Sequence, residues 1–494
     1  MFLKPILTMS PFSLLRSALF LILSISFVSG AQANGIGDIE LPDMGESATR
    51  GFSKNDQSAY GHRAWLSLKN QGVVLNDPES TAYLQALGER IAVGTGEPLG
   101  SFTFFPVASN VVNAFAMPGG YIGMHAGLVT AAESEHELAG VMGHEIVHVT
   151  QQHIARLLEK ERPWSAATTA LVIAALLLGG GDPDITQAAI GTGLASGLER
   201  RVNYTRAHEH EADRLAVPLL AQAEIDPTGM AEFFNRLYKL RANYDNSLAG
   251  LLQTHPLTAT RISEAKERAN AYPVKSPKTS GLFPIIRERM RVLTTPSRNS
   301  PSAYYPNSLV SALEDPGTLY GQSLAASIGG DHQRAEEGFT ALVKQDPSNL
   351  LYQLGYARAL QRSDNNEAAL KQWQKAQTLF ADNSLFQYRH GEALLQLDKP
   401  AEAKDQLLSL YTKRPKNAEV NDLLARASAD LGQLVEAHVY KANYWLYSGD
   451  GDHAARQLKA AIAGPELSES ERERLKQKLE EVRRLDKAAK EGRA

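Results

Sequence analysis

Apolar positions follow three different rhythms along the chain. From residue 41 to about 270, helical spacing is interrupted by short strand-like runs, "SFTFFPV" (101–107) and "NAFAMPGG" (113–120). That mixture predicts an α+β unit, mostly helical. Inside it, "GVMGHEIVHVTQQH" (140–153) spaces its apolar residues as a helix does. Just upstream, "SEHE" (134–137) is a capping box in which Ser134 accepts from first-turn amides and Glu137 reaches back, so a helix starts there. Between Pro273 and Pro306 the rhythm lapses. Six prolines and clusters of Ser and Thr surround "LFPIIRERMRVL", which predicts a linker with one short ordered element.

The third rhythm is a repeat. Asn349, Asn383 and Asn417 stand 34 residues apart, as do Ala325, Ala359, Ala393 and Ala427, and again Ala335, Ala369, Ala403 and Ala437. Small residues at two fixed phases of a 34-residue period mark tetratricopeptide repeats, whose alanines let the two helices of each hairpin approach closely. Three clear hairpins are expected from about 309 to 447, followed by a shorter unit, "GDGDHAARQLKAAI", that loses the period. In "SESERERLKQKLEEVRRL" Leu475, Leu479 and Val482 share one face, which suits a solvated helix closing the solenoid better than a partner-binding one. The expected layout is residues 1–33 as a leader, 34–272 as the α+β domain, 273–308 as linker and 309–494 as repeats with a capping helix.

Two apolar runs fall short of a membrane span. "SALFLILSISFV" (17–28) follows Lys4 and Arg16 and precedes Ala31 and Ala33, the pattern of a cleaved signal peptide, with an uncleaved anchor as the alternative. Export to a bacterial periplasm is the simplest consequence. The run 170–178 within "SAATTALVIAALLLGGG" suits a buried helix or a lid over a site, with an interfacial membrane contact as the alternative. Of 494 residues, 21% are charged and 43% hydrophobic, a globular balance. A formal net charge of -4 without an arginine-rich run argues against nucleic acid. The absence of cysteine excludes disulfide stapling and a lipoprotein anchor.

The candidate chemistry lies on the predicted helix at 134. In "HEIVH" the residues His144 and His148 are about 40° apart around a helix, which lets two imidazoles meet one tetrahedral zinc. Glu145 between them is placed to hold water rather than metal. On a continuous helix His153 is rotated about 140° from His148 and is not counted as a ligand. Gln151 and Ile154 stand where a metzincin needs Gly and His, which excludes that class. Downstream, "RAHEHEADR" (206–214) is the dense cluster of possible ligands. Glu209 and Asp213 share a helical face, so Glu209 can ligate while Asp213 accepts from a ligand histidine. His208, His210 and Glu211 then point elsewhere, onto a solvated face.

"HEIVH" followed by "EHEAD" 61 residues after His148 resembles the gluzincin peptidases that include the bacterial inner-membrane heat-shock protease and the CAAX prenyl endopeptidase. With a leader, "LPDMGESA" (41–48), "NAFAMPGG" and C-terminal repeats, the chain is similar to the periplasmic, repeat-bearing members that serve outer-membrane β-barrel assembly. The resemblance spans essentially the whole chain after the leader, apart from the missing cysteine.

The resemblance implies a zincin-type fold, one Zn2+ per chain and proteolysis of misfolded or stalled outer-membrane β-barrel proteins. It also implies that the repeats bind the assembly machinery, and it favours "NAFAMPGG" as a substrate-binding edge strand (Asn113, Ala114, Phe115, Ala116) over an ordinary core strand. The alternative function is a chaperone-like scaffold whose zinc site is latent. Tyr204, Arg206 and His255 remain candidates for steadying an oxyanion. Pro256 holds His255 extended on a loop, from which it could supply a fourth zinc ligand in a resting state or simply pack beside the next helix.

Overall fold

The computed structural model of the 494-residue chain describes residues 53–160, 206–240, 251, 255–295, 300–305, 308–464 and 467–490. The leader, the 170–178 run and Tyr204 lie outside the described residues.

Helices α1 (Lys54–Asn70) and α2 (Pro78–Ala92) lead into a three-stranded sheet of β1 (Thr103–Val107), β2 (Ala114–Met117) and β3 (Tyr121–His125). Ser53 and Asp77 cap the two helices. The strand order is β1-β3-β2, with β1 parallel and β2 antiparallel to β3, so β2 is an edge strand. The turn from β2 to β3 is Pro118–Gly120, where Gly119 has φ 77° and its Cβ would stand 2.6 Å from the Ser58 Cα. Only glycine fits a left-handed residue so close to another backbone.

Beyond the sheet come α3 (Ala126–Ala131), α4 (Glu135–Thr150), α5 (His153–Lys160), α6 (Arg206–Gln222), α7 (Thr228–Leu240) and α8 (Ala259–Ala271). Helix α4 packs on β2 and against α6 and α7. Its apolar residues all round are buried, including Leu138, Met142, Ile146 and Val147, so it runs through the middle of the core. Half of the expected capping box forms. Ser134 accepts from the Glu137 amide at 3.2 Å, but Glu137 accepts from the Glu133 amide at 2.7 Å, one residue before the cap, and pairs with Arg236.

The ordered element of the proline-rich segment is helix α9 (Phe283–Leu293), and it is no spacer. Phe283, Ile285, Ile286, Met290 and Val292 are buried in one hydrophobic cluster with Leu138 and Ile146 on one side and Leu319 and Phe339 on the other. An apolar face this wide joins the α+β unit to the first repeat through a shared core.

The repeats form α10 (Pro316–Gly329), α11 (His332–Gln345), α12 (Leu350–Arg362), α13 (Asn366–Phe380), α14 (Ser384–Gln396), α15 (Pro400–Lys413), α16 (Ala418–Asp430) and α17 (Leu434–Tyr447). Among the described residues that is four hairpins by 447 rather than three. Asp315, 34 residues before Asn349, caps the first of them as Asn349, Asn383 and Asn417 cap the others. All eight phased alanines are buried, one series in each first helix and the other in each second helix. Helices α18 (Gly451–Ile462) and α19 (Glu469–Lys490) close the solenoid, with Leu479 and Val482 buried against Ala454 and Leu458. No helix among the described residues is long and apolar enough to cross a membrane.

Candidate metal centre

Helix α4 presents His144 and His148 one turn apart, their Nε2 atoms 2.9 Å from each other. Helix α6 brings Glu209 to them, with one carboxylate oxygen 3.6 Å from His144 Nε2 and the other 3.5 Å from His148 Nε2. His255 enters from the loop before α8, its Nδ1 3.0 Å from Glu209 Oε1 and 3.4 Å from His144 Nε2. One ligating atom from each of these four buried residues falls within 4.8 Å of the other three. Three imidazoles and one carboxylate converging in a buried site are a borderline-hard N/O donor set that fits zinc.

The ligand side chains are held from behind. Asp213 Oδ1 lies 3.0 Å from His144 Nδ1, leaving Nε2 for a metal. Asp213 is in turn gripped by both prongs of buried Arg261, at 2.7 and 2.9 Å, and Arg261 also reaches Glu209 at 2.8 Å and the Pro256 carbonyl at 2.8 Å. One guanidinium thus fixes the Glu209 carboxylate, the Asp213 carboxylate and the loop that carries His255. Sequence reasoning missed Arg261. Its signal is modest: an arginine three residues after Thr258, the N-cap that accepts its amide.

His153 is also closer than helical phase predicts. Helix α4 ends at Thr150, Gln152 has φ 54°, and α5 begins afresh at His153. The 140° rotation assumed one continuous helix, whereas the reversal folds His153 back under His148. Its Nδ1 is 2.8 Å from His148 Nδ1, and its Nε2 is 3.2 Å from Glu211 Oε2. Burial, with His208 alongside, pushes the His153 pKa down to about 4, so the ring is neutral at pH 7. A His148 that uses Nε2 for metal keeps its proton on Nδ1 and donates it to His153, which donates from Nε2 to Glu211. Glu211 therefore turns toward His153 and is only partly exposed to solvent. His208 stacks on His153 at 4.3 Å, while His210 pairs with Glu264 away from the four ligating groups. Arg206 is exposed at the start of α6.

Glu145 is fully buried, faced by the Ala116 backbone amide from β2 and by His255 Nε2 at 3.5 Å. Burial pushes its carboxyl pKa up, and His255 and His144 offset part of that. Along β2 the His125 amide donates to the Asn113 carbonyl, so hydrogen bonds to β3 fall at Asn113, Phe115 and Met117. The backbone groups of Ala114 and Ala116 then point away from the sheet. The Phe115 ring packs on Phe105 and His125, and Asn113 Oδ1 accepts the Ala114 amide at 3.0 Å.

A mostly helical α+β fold with two of these donors on a central helix beside an edge strand, and the others brought in from α6 and the loop before α8, defines a zincin-type metallopeptidase. The profile of peptidase family M48 matches residues 78–269, and the chain belongs to that family. A Vibrio cholerae protein named as a β-barrel assembly-enhancing protease is 36% identical over 319 residues, 64% of this chain and 65% of that protein. The β-barrel assembly-enhancing protease of Escherichia coli K12 is 28% identical over 449 residues, 90% of this chain and 91% of that protein. Metalloprotease LoiP of the same strain is 31% identical over 197 residues, 40% of this chain and 71% of LoiP.

Proposed function

We propose that this chain is a periplasmic zinc endopeptidase that cleaves misassembled outer-membrane β-barrel proteins, with its helical hairpins docking on the assembly machinery. One observation carries the proposal. The four buried ligating residues converge beside Glu145, whose carboxylate faces the Ala116 amide on the outward edge of β2, to which an extended peptide can add. The names of the Vibrio and Escherichia relatives support the class of client.

His144, His148 and Glu209 would hold the zinc, which when bound supplies Lewis acidity at a peptide carbonyl and lowers the pKa of water to about 7. The outward carbonyls of Ala114 and Ala116 align a substrate strand regardless of its sequence, as suits clients of varied sequence, while the Ala114 amide is taken by Asn113 and the Ala116 amide faces Glu145. Asn113 and Phe115 hold that edge in place, one through the Ala114 amide and the other through the sheet core. Glu145 takes a proton from the attacking water and delivers it to the leaving amine, a role helped by a carboxyl whose pKa burial raises. Asp213 and Arg261 keep His144 and Glu209 in their orientations.

A latent scaffold is the second reading; the relatives, named as proteases, do not favour it, and its support is the position of His255. A fourth protein ligand would complete the tetrahedron and close the place that water needs. Zinc content and casein cleavage of wild type beside Glu145→Gln test the first reading. Both proteins should carry about one zinc per chain, and only wild type should cleave. A metal-free variant would show that Glu145 has been given the wrong role, and equal casein cleavage by both would sink the protease.

A further inference from the structure

Where the α+β unit meets the first three hairpins, a cavity of about 290 Å³ opens between the start of α2 and helices α9, α10, α12 and α14. Four arginines line it, Arg289 from α9, Arg358 and Arg362 from α12, and Arg389 from α14. Three carboxylates answer them. Arg289 donates to Asp77 at 2.8 Å, Arg389 to Glu79 at 3.1 Å and to Glu392 at 2.7 Å, and Arg358 to Glu79 at 3.2 Å. Four positive charges against three negative leave one over. The excess sits on Arg362, which forms no ion pair among the described residues and donates only to the Ser327 hydroxyl, at 3.2 Å. Burial, then Arg358, Arg289 and Arg389, all disfavour its charge.

We propose that this cavity binds the terminal carboxylate of a polypeptide, with Arg362 as the anchor and the apolar wall of Leu324 and Ile328 taking the last side chain. A guanidinium presents parallel N–H groups that match the two oxygens of a carboxylate. The charge balance selects the ligand: a single excess cation is neutralised by a carboxylate, whereas a phosphate dianion would leave a buried negative charge uncompensated. The volume suits the end of a chain, since it is about twenty times the space that one water needs. Ile328 is 43% exposed at the wall, so the cavity is reachable from solvent and an apolar side chain would cover surface now facing water.

The test uses full-length protein carrying Glu145→Gln so that no peptide is cut; if the chain is no protease, binding is still read. The probe is a fluorescent octapeptide of glycine and serine ending in leucine, as free acid or as amide, followed by anisotropy. Amidation should weaken binding at least tenfold. Arg362→Gln should weaken the acid to the same degree and abolish the difference between acid and amide. Ile328→Glu, at an exposed position, should also weaken the acid, and thermal melts monitor folding of both variants. Equal affinity for acid and amide, an acid preference that survives Arg362→Gln in a folded variant, or displacement of the peptide by micromolar inorganic phosphate would each overturn the assignment.

Discussion

His148 is held from both sides of its ring, by the ligating group on one side and by His153 on the other. If His153 and Glu211 orient that ring, His153→Phe should preserve the fold yet weaken zinc binding roughly ten- to a hundredfold, the usual loss when such a support is removed. Competition with a chelator reads the affinity directly, and an unchanged value would reduce His153 to packing. His255→Ala separates two roles of a neighbouring group. Proteolysis should rise if His255 only fills the fourth position and fall if it also steadies the oxyanion, while zinc stays bound by the other three residues. Wild-type activity together with wild-type zinc affinity would remove His255 from the site. Within one helix, the spacing of His144, Glu145 and His148 was enough to place them, as was that of Glu209 and Asp213. His153 and Arg261 were hidden because a chain reversal at Gln152 and the packing of α8 on α6 bring them in, and neither is periodic.

Among the elements, what could be read depended on whether the local pattern repeats. Eight alanines and three asparagines mark the hairpins, and the first hairpin drops out only if asparagine alone is accepted as its cap, since Asp315 does the same work. The central strand β3, by contrast, carries no strand signature. Gly123 sits in its middle, which ordinarily counts against a strand, but a Cβ there would stand 2.4 Å from the Phe115 ring that covers it. Cross-strand packing thus requires the residue that local propensity disfavours. Helix α9 was visible as an ordered piece among prolines, yet its depth was not, because burial on two sides comes from the units it joins.

Across the whole molecule, the α+β unit and the repeats are tied by charge as well as by a shared core. Glu79 near the start of α2 is buried beneath Arg289, Arg389 and Arg358, which come from three helices of the linker and repeats. Burial alone would raise its pKa, but the three guanidiniums outweigh that and hold the carboxyl well below the usual carboxylate range. A carboxylate whose folded pKa is depressed stabilises the folded state fully above its unfolded pKa, near 4.5, and loses that contribution as pH falls towards the folded value. Glu79→Gln keeps the size of the side chain but leaves the arginines under-compensated, which should cost about 3–5 kcal/mol at pH 7. Because the wild type alone loses the carboxylate contribution in acid, the gap between the two proteins should be constant from pH 7 to about 5 and shrink below about pH 4.5. Chemical denaturation at a series of pH values measures this. A gap that stays constant down to pH 3 would mean that Glu79 acts through hydrogen bonds alone, with no charge holding the repeats to the α+β unit.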